Sequence, residues 1–190
     1  MKLIVGLGNP GRRYEGTRHN LGYAVLAELG RRLTIGAVKS KFSAELAETL
    51  LDGEKILLLS PVTYMNNSGT SVRAARDFFG LANEQLLVVC DDLSLPLGKL
   101  RFRAGGSSGG QKGLEDIIRK LQTEEFPRLR LGIGQPPEAW DPADFVLARF
   151  SREVTSATAA VATERLPLMA PPRMRETMNT QNEPLKAHKR

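Results

Sequence analysis

The sequence predicts an α/β protein, a single three-layer domain whose mixed, twisted sheet is flanked by helices. Three observations carry this expectation. Short apolar runs alternate along the chain with segments of helical apolar spacing. One run, LLVVC at Leu86 to Cys90, is apolar without interruption, as in a strand covered on both faces. Glycine, proline and asparagine punctuate the joints between segments.

Taken in order, Lys2 to Val5 reads as a buried strand, followed by the glycine-rich stretch GLGNPGRRYEGTRHN from Gly6 to Asn20. Leu21 to Leu33 has apolar residues at helical spacing, with Asn20 placed as its N-cap. Ser43 to Leu51 and Lys55 to Leu59 flank Asp52-Gly53, a hairpin signal. After Pro61 the turn TYMNNSG leads into a helix across Thr70 to Phe79, closed by Gly80. The run ending at Cys90 stops at Asp91-Asp92. A third helix is expected over Leu114 to Leu121, a strand over Leu129 to Ile133, and a fourth helix over Ser151 to Leu166 with a serine cap. Pro167 and Pro171-Pro172 interrupt that helix. The domain is therefore expected to span residues 1–173, and the polar, basic segment 174–190 to be partly disordered.

At 190 residues with 41% hydrophobic content, the chain is long enough for one domain with a substantial core and short for two. Its formal charge of +6 comes from 27 bases interspersed with 21 acids, a basic surface that favours a polyanionic partner. A single cysteine, Cys90, excludes an internal disulfide framework. No charged-then-apolar leader opens the chain, and no apolar run approaches the roughly 18 residues of a membrane span, so a soluble cytoplasmic protein is expected.

Several motif matches fail on context. Gly6, Gly8 and Gly11 satisfy a dinucleotide fingerprint, with Glu28 near the usual position of the ribose-binding acid. However, Pro10 interrupts the motif, the residues after it have no apolar stripe, and Glu28 falls within the next helix. GGSSGGQKG at Gly105 to Gly113 is not a phosphate loop, because Lys112 is followed by glycine, and no nucleophile elbow occurs. Asp91 and Asp92 make a poor metal pair, since neighbours on a strand point to opposite faces.

Three expected strands end in polar residues: Asn9, Asn66 and Asp91. Ligands of open α/β sheets gather outside such carboxyl ends. With His19 on the first loop, these are the parts of a hydrolytic site: a histidine base, a carboxylate to orient it and amides to bond an oxyanion. Each also has a structural use, as a loop histidine, a helix cap or a turn residue. Lys99, Arg101 and Arg103 alternate with apolar residues, and Arg128 and Arg130 repeat the pattern, which predicts a basic strand face suited to phosphates.

With these residues assembled, the chain resembles the bacterial-type peptidyl-tRNA hydrolases. The matching blocks are VGLGNPG (5–11), TRHNLG (17–22), PVTYMNNSG (61–69), CDDLSLPLGKLRFR (90–103), GGSSGGQKGLEDII (105–118) and FPRLRLGIGQP (126–136). The resemblance implies a monomeric α/β enzyme without metal or cofactor that cleaves the ester between a peptidyl group and the 3′ ribose of tRNA. It makes His19 the general base and Asp91 the group that orients it. Asn9 and Asn66 would position substrate, Arg103 and Arg130 would clamp a tRNA phosphate, and Tyr14, Tyr64 and Lys112 would be further contacts. Base catalysis needs a neutral imidazole, so activity is expected to fall in acid as His19 takes up a proton. The chain departs from the family at Gln111 and Lys112, where histidine and asparagine are common, at Ser94, where an acid is common, and in the proline-broken helix after Leu166. Two rivals are a catalytically weak RNA-binding relative, for which Lys112 speaks, and an esterase of small peptides, which the basic strands disfavour.

Overall fold

The computed structural model describes residues 1–51 and 53–165. The expected break at Pro167 and the polar segment from Met174 lie outside them. Seven strands form one sheet: β1 (Lys2–Gly6), β2 (Lys39–Lys41), β3 (Ala44–Leu51), β4 (Glu54–Pro61), β5 (Leu86–Asp92), β6 (Leu100–Arg103) and β7 (Arg128–Gly132). The spatial order is β2-β3-β4-β1-β5-β7-β6. The strands β4, β1, β5 and β7 run parallel in the middle, and the edges are antiparallel. This matches the expected mixed three-layer α/β domain.

The helices are α1 (Leu21–Arg32), α2 (Ser68–Phe79), α3 (Lys112–Leu121), α4 (Pro142–Leu147) and α5 (Arg152–Arg165). On one face α1 packs with α5, and on the other α2 packs with α3. The first face gathers Ile4, Leu58, Val89 and Leu129 against Val25 and Leu29. The second gathers Leu3, Val5, Leu57 and Val88 against Val72 and Ile117. The central strands thus bury alternate side chains on both faces, which is why they read as unbroken apolar runs. Each fully buried leucine contributes roughly 1.5–3 kcal/mol.

The chain leaves β1 for β4 on one side, and then crosses to β5 on the other, so the strand order reverses at β1. That switch point opens a crevice at the carboxyl ends of β1, β4 and β5. Helix α1 seats directly on this end: a Cβ at Gly6 would collide with the Gly22 carbonyl, and one at Gly22 with the backbone of Leu7 and Val89. The glycines of the opening stretch therefore permit helix-on-strand contact rather than a nucleotide cradle.

Three local expectations are corrected. Asn20 stands before α1 but makes no side-chain cap bond, because its amide is committed to Asn9. Helix α3 begins at Lys112, two residues early, because Gln111 caps it by accepting from the Leu114 N–H at 2.8 Å. The arginines of β7 do not form an open basic face. All of β7 is buried, and the Arg128 guanidinium donates to the backbone carbonyls of Gly106, Ser107, Glu124 and Phe126. Burial holds Arg128 below arginine's usual range. Register opposes Arg103 to Arg128 and Arg101 to Arg130, so all four share a face, but a glycine-rich loop covers half of it.

Candidate active site

Each strand of the crevice delivers the residue expected of it. The loop after β1 carries Asn9, which is 7% exposed. Its backbone N–H donates to Asn20 Oδ1 at 2.8 Å and its carbonyl accepts from Asn20 Nδ2 at 3.0 Å. Asn9 Oδ1 accepts from the Met65 N–H at 2.8 Å. A backbone N–H can only donate, so the atom facing it is the carbonyl oxygen, which leaves Nδ2 as the donor of Asn9, without a partner among the described residues.

His19 lies on the short 3-10 turn Arg18–Asn20 that leads into α1. Its Nδ1 stands 2.8 Å from Asp91 Oδ2, at the end of β5. The carboxylate is nearly inaccessible, with 3% of Asp91 exposed, and 11% of the His19 side chain is open. An ionised carboxylate only accepts, so Nδ1 carries a proton, and in the neutral form of the ring the lone pair lies on Nε2. The other Asp91 oxygen accepts from Gln111 Nε2 at 3.1 Å. Asp91 is thus approached from both helical layers, by the turn before α1 and by the cap of α3.

Asp92 points to the opposite face, as strand geometry requires. It pairs with Arg130 at 3.2 Å, and its other oxygen accepts from the Ser94 N–H and hydroxyl. Arg130 also donates to the Ser107 carbonyl at 2.7 Å. Ser94 therefore closes a turn on Asp92. Among the described residues no group of three or more His, Cys, Asp or Glu side chains is placed to hold a metal ion.

A cleft of about 660 Å³ spans these groups. Asn9, His19, Asn66 and Asp91 meet in it, as the sequence led one to expect, and so do Tyr14, Tyr64, Lys112 and Arg130. Tyr14 and Tyr64 come from different loops and meet edge to face with ring centroids 6.3 Å apart. Asn66 is exposed on the 3-10 turn Met65–Asn67, and Asn67 takes the cap position of α2. Arg103 is exposed on the edge strand and does not line the cleft. Lys112 lies at the rim in an ion pair with Glu115 at 3.0 Å, and leaves the His19–Asp91 pair untouched.

Sequence reasoning missed Arg13 and α4. Arg13 stacks on the Tyr14 ring at 4.5 Å. Helix α4 places Ala143, Val146 and Leu147 along the apolar wall, with Met65 and Leu93. Asp141-Pro142 was its signal: Asp141 caps by accepting from Ala143 and Asp144, and Pro142 occupies the first turn. Arg18 ties α4 to the histidine turn. Its guanidinium lies between the rings of Phe145 and Phe150 at 4.2 and 4.6 Å, and its backbone N–H donates to Ala148.

A histidine paired with a buried carboxylate, lining one cleft with the Asn9 amide at the switch point of an α/β sheet, has the parts that a hydrolytic site needs. A sequence model of the family described as peptidyl-tRNA hydrolase matches residues 3–189. The chain is 53% identical over 152 residues to a peptidyl-tRNA hydrolase of Rhodopirellula baltica, which spans 80% of each. It is 47% identical over 153 residues to one of Bacillus cytotoxicus, which spans 80% of this chain and 82% of the relative. The solved peptidyl-tRNA hydrolase of Acinetobacter baumannii superposes with a TM-score of 0.87 at 33% identity, covering 96% of this chain and 94% of that one. The chain belongs to the peptidyl-tRNA hydrolase family, and is an enzyme. Among its described residues no helix is long and apolar enough to cross a membrane.

Proposed function

We propose that this chain hydrolyses the ester between the peptidyl group and the 3′ ribose of peptidyl-tRNA, with His19 as general base. A water between His19 Nε2 and the ester carbonyl gives up its proton to Nε2 as its oxygen attacks the carbonyl carbon. Asp91, 2.8 Å from Nδ1, holds the ring and stabilises the imidazolium that forms. The free Nδ2 of Asn9 and the amide of Asn66 bond the developing oxyanion. As the intermediate collapses, the ribose 3′ oxygen leaves and takes the proton back from Nε2. The products are a free carboxyl on the peptide and an intact tRNA.

The observation that carries this reading is the buried His19–Asp91 pair opening on a cleft with a free amide donor. The aromatic pair Tyr14–Tyr64 suits the unpaired 3′ end, whose bases offer stacking faces, and the exposed Arg103 suits the acceptor-stem backbone. Arg130, buried and paired with Asp92, lends the rim little free charge, so the phosphate contact falls mainly to Arg103. We place the enzyme in the cytoplasm as a monomer, where translation supplies its substrate.

The test is release of the acyl group from an N-blocked aminoacyl-tRNA. His19→Ala is expected to lose about 10²- to 10⁴-fold in kcat, the usual contribution of a general base. A loss below tenfold would overturn the assignment.

A further inference from the structure

We propose that Gln111 is a positioning residue for this reaction: its side-chain amide anchors the oxygen of Asp91 that His19 leaves free, and so fixes the carboxylate against the base. The inference rests on His19 acting as that base.

The orientation of the amide follows from its partners. Gln111 Oε1 accepts from the Leu114 N–H at 2.8 Å, a group that only donates. Nε2 is therefore the end that meets Asp91 Oδ1 at 3.1 Å. Both residues are buried, Gln111 at 8% exposure and Asp91 at 3%. Buried hydrogen bonds of this kind hold their geometry because water does not compete for either partner. A carboxylate bonded through one oxygen can turn about its last torsion, and a second anchor on the other oxygen removes that freedom. The rigid reference is α3, since the first turn of that helix grips the far end of the Gln111 amide.

The chemistry of the anchor matters as much as its place. An amide does not titrate, so it donates to Asp91 across the whole range in which His19 changes charge. It also brings no positive charge to compete with the imidazolium for Asp91. The remaining charged groups nearby are otherwise engaged: Asp92 pairs with Arg130 on the other face of β5, and Arg128 is held by backbone carbonyls. Burial keeps the Cys90 thiol neutral. Gln111 Nε2 also faces Met65 Sδ at 3.4 Å, and the Met65 N–H donates to Asn9. The bonds therefore run from His19 through Asp91, Gln111, Met65 and Asn9 to Asn20, the neighbour of His19 in sequence. This ring sets the base and the amide donor at a fixed separation.

Two substitutions separate this role from simple capping of α3. In Gln111→Glu the carboxylate still accepts from Leu114, but the donor to Asp91 becomes a like charge. In Gln111→Met both bonds go. The measurements are kcat, KM and the pH profile of acyl release from N-blocked aminoacyl-tRNA, with thermal melting alongside. For Gln111→Glu we expect a lower melting temperature, since two buried carboxylates then face each other, and, assayed well below it, KM within about twofold and kcat lower by about tenfold or more. The acid limb of its kcat profile should move to higher pH, because added negative charge favours protonated His19. Parent-like kcat with an unmoved acid limb would overturn the proposal and leave Gln111 as a cap. Should Gln111→Glu fail to fold, Gln111→Met decides: lower kcat at unchanged KM below its melting temperature supports the role, and parent kcat overturns it. His19→Ala in the same series tells the two failures apart. If it stays active, the base assignment falls and takes this inference with it; if only the Gln111 variants stay active, the inference alone falls.

Discussion

Asn20 answers both backbone groups of Asn9 with one side chain, its Oδ1 2.8 Å from the Asn9 nitrogen and its Nδ2 3.0 Å from the Asn9 oxygen. The two residues are buried, so neither backbone group can turn to water instead. Asn20→Ala should cost about 1–3 kcal/mol in urea-unfolding free energy, the penalty of leaving buried polar groups unpaired. It should also lower kcat, because Asn9 would no longer present Nδ2 at a fixed place. A stability unchanged within error would show that Asn9 finds other partners.

Asp91→Asn keeps the shape of the side chain and removes its charge. The imidazolium then loses its counter-charge, and the amide can present a donor where Nδ1–H expects an acceptor. We expect kcat to fall about 10²- to 10⁴-fold while KM changes little, since the group acts on the base and not on substrate binding. Single-turnover acyl release measures it. A loss confined to KM would place Asp91 in binding.

Arg103 and Arg128 lie opposite each other across β6 and β7 yet should behave in opposite ways. Arg103 is exposed, and Arg103→Ala should weaken tRNA binding and reduce the slope of log affinity against log salt by about one. Arg128→Met should leave that slope as it is and cost about 1–3 kcal/mol of stability, because the carbonyls it serves lose their donor. Filter binding over a salt series and urea unfolding distinguish the two.

Burial, aided by the charge of Glu45, pushes the Tyr23 phenol up to about 12. Its hydroxyl donates to the Pro61 carbonyl. The unfolded phenol ionises near its ordinary value of about 10, so the folded chain holds the proton more tightly. The stability this contributes is complete below about pH 10 and is lost as pH rises towards about 12. Urea midpoints at pH 9 and pH 11.5 should fall less in Tyr23→Phe than in the parent. An equal fall would show that other groups govern alkaline unfolding.

Much of the fold was legible because burial writes itself into periodicity. The strands β1, β4 and β5 are apolar on both faces, and α1 and α2 carry stripes with a clear stop at Gly80, whose φ of +61° suits glycine. Strand β2 was not legible. Its residues, Lys39 to Lys41, are all exposed, and Phe42 and Ser43 make the tight turn to β3 with positive φ, where Asn-Gly is the usual signal. Asn9, Asn66 and Asp91 could be found as polar residues after strand ends, and His19 as a histidine on the loop that leaves the first of them. What could not be found was where Arg128 points, since alternation shows that it shares a face with Arg130 but not that a loop lies over that face. The role of Gln111 was hidden for a similar reason. Its partner stands 20 residues away on another element, and only the packed sheet brings the two within a hydrogen bond.

That Asp91 is gripped from both sides of the sheet makes catalysis a property of the finished molecule. The turn bearing His19 arrives with α1 and the Gln111 amide arrives with α3, on opposite faces. Neither half of the chain contains the whole assembly, and a protein with one layer undocked would have a carboxylate but not its geometry. An intermediate of folding would accordingly be silent towards its substrate, so the appearance of activity during refolding should coincide with the last docking event rather than with formation of the sheet.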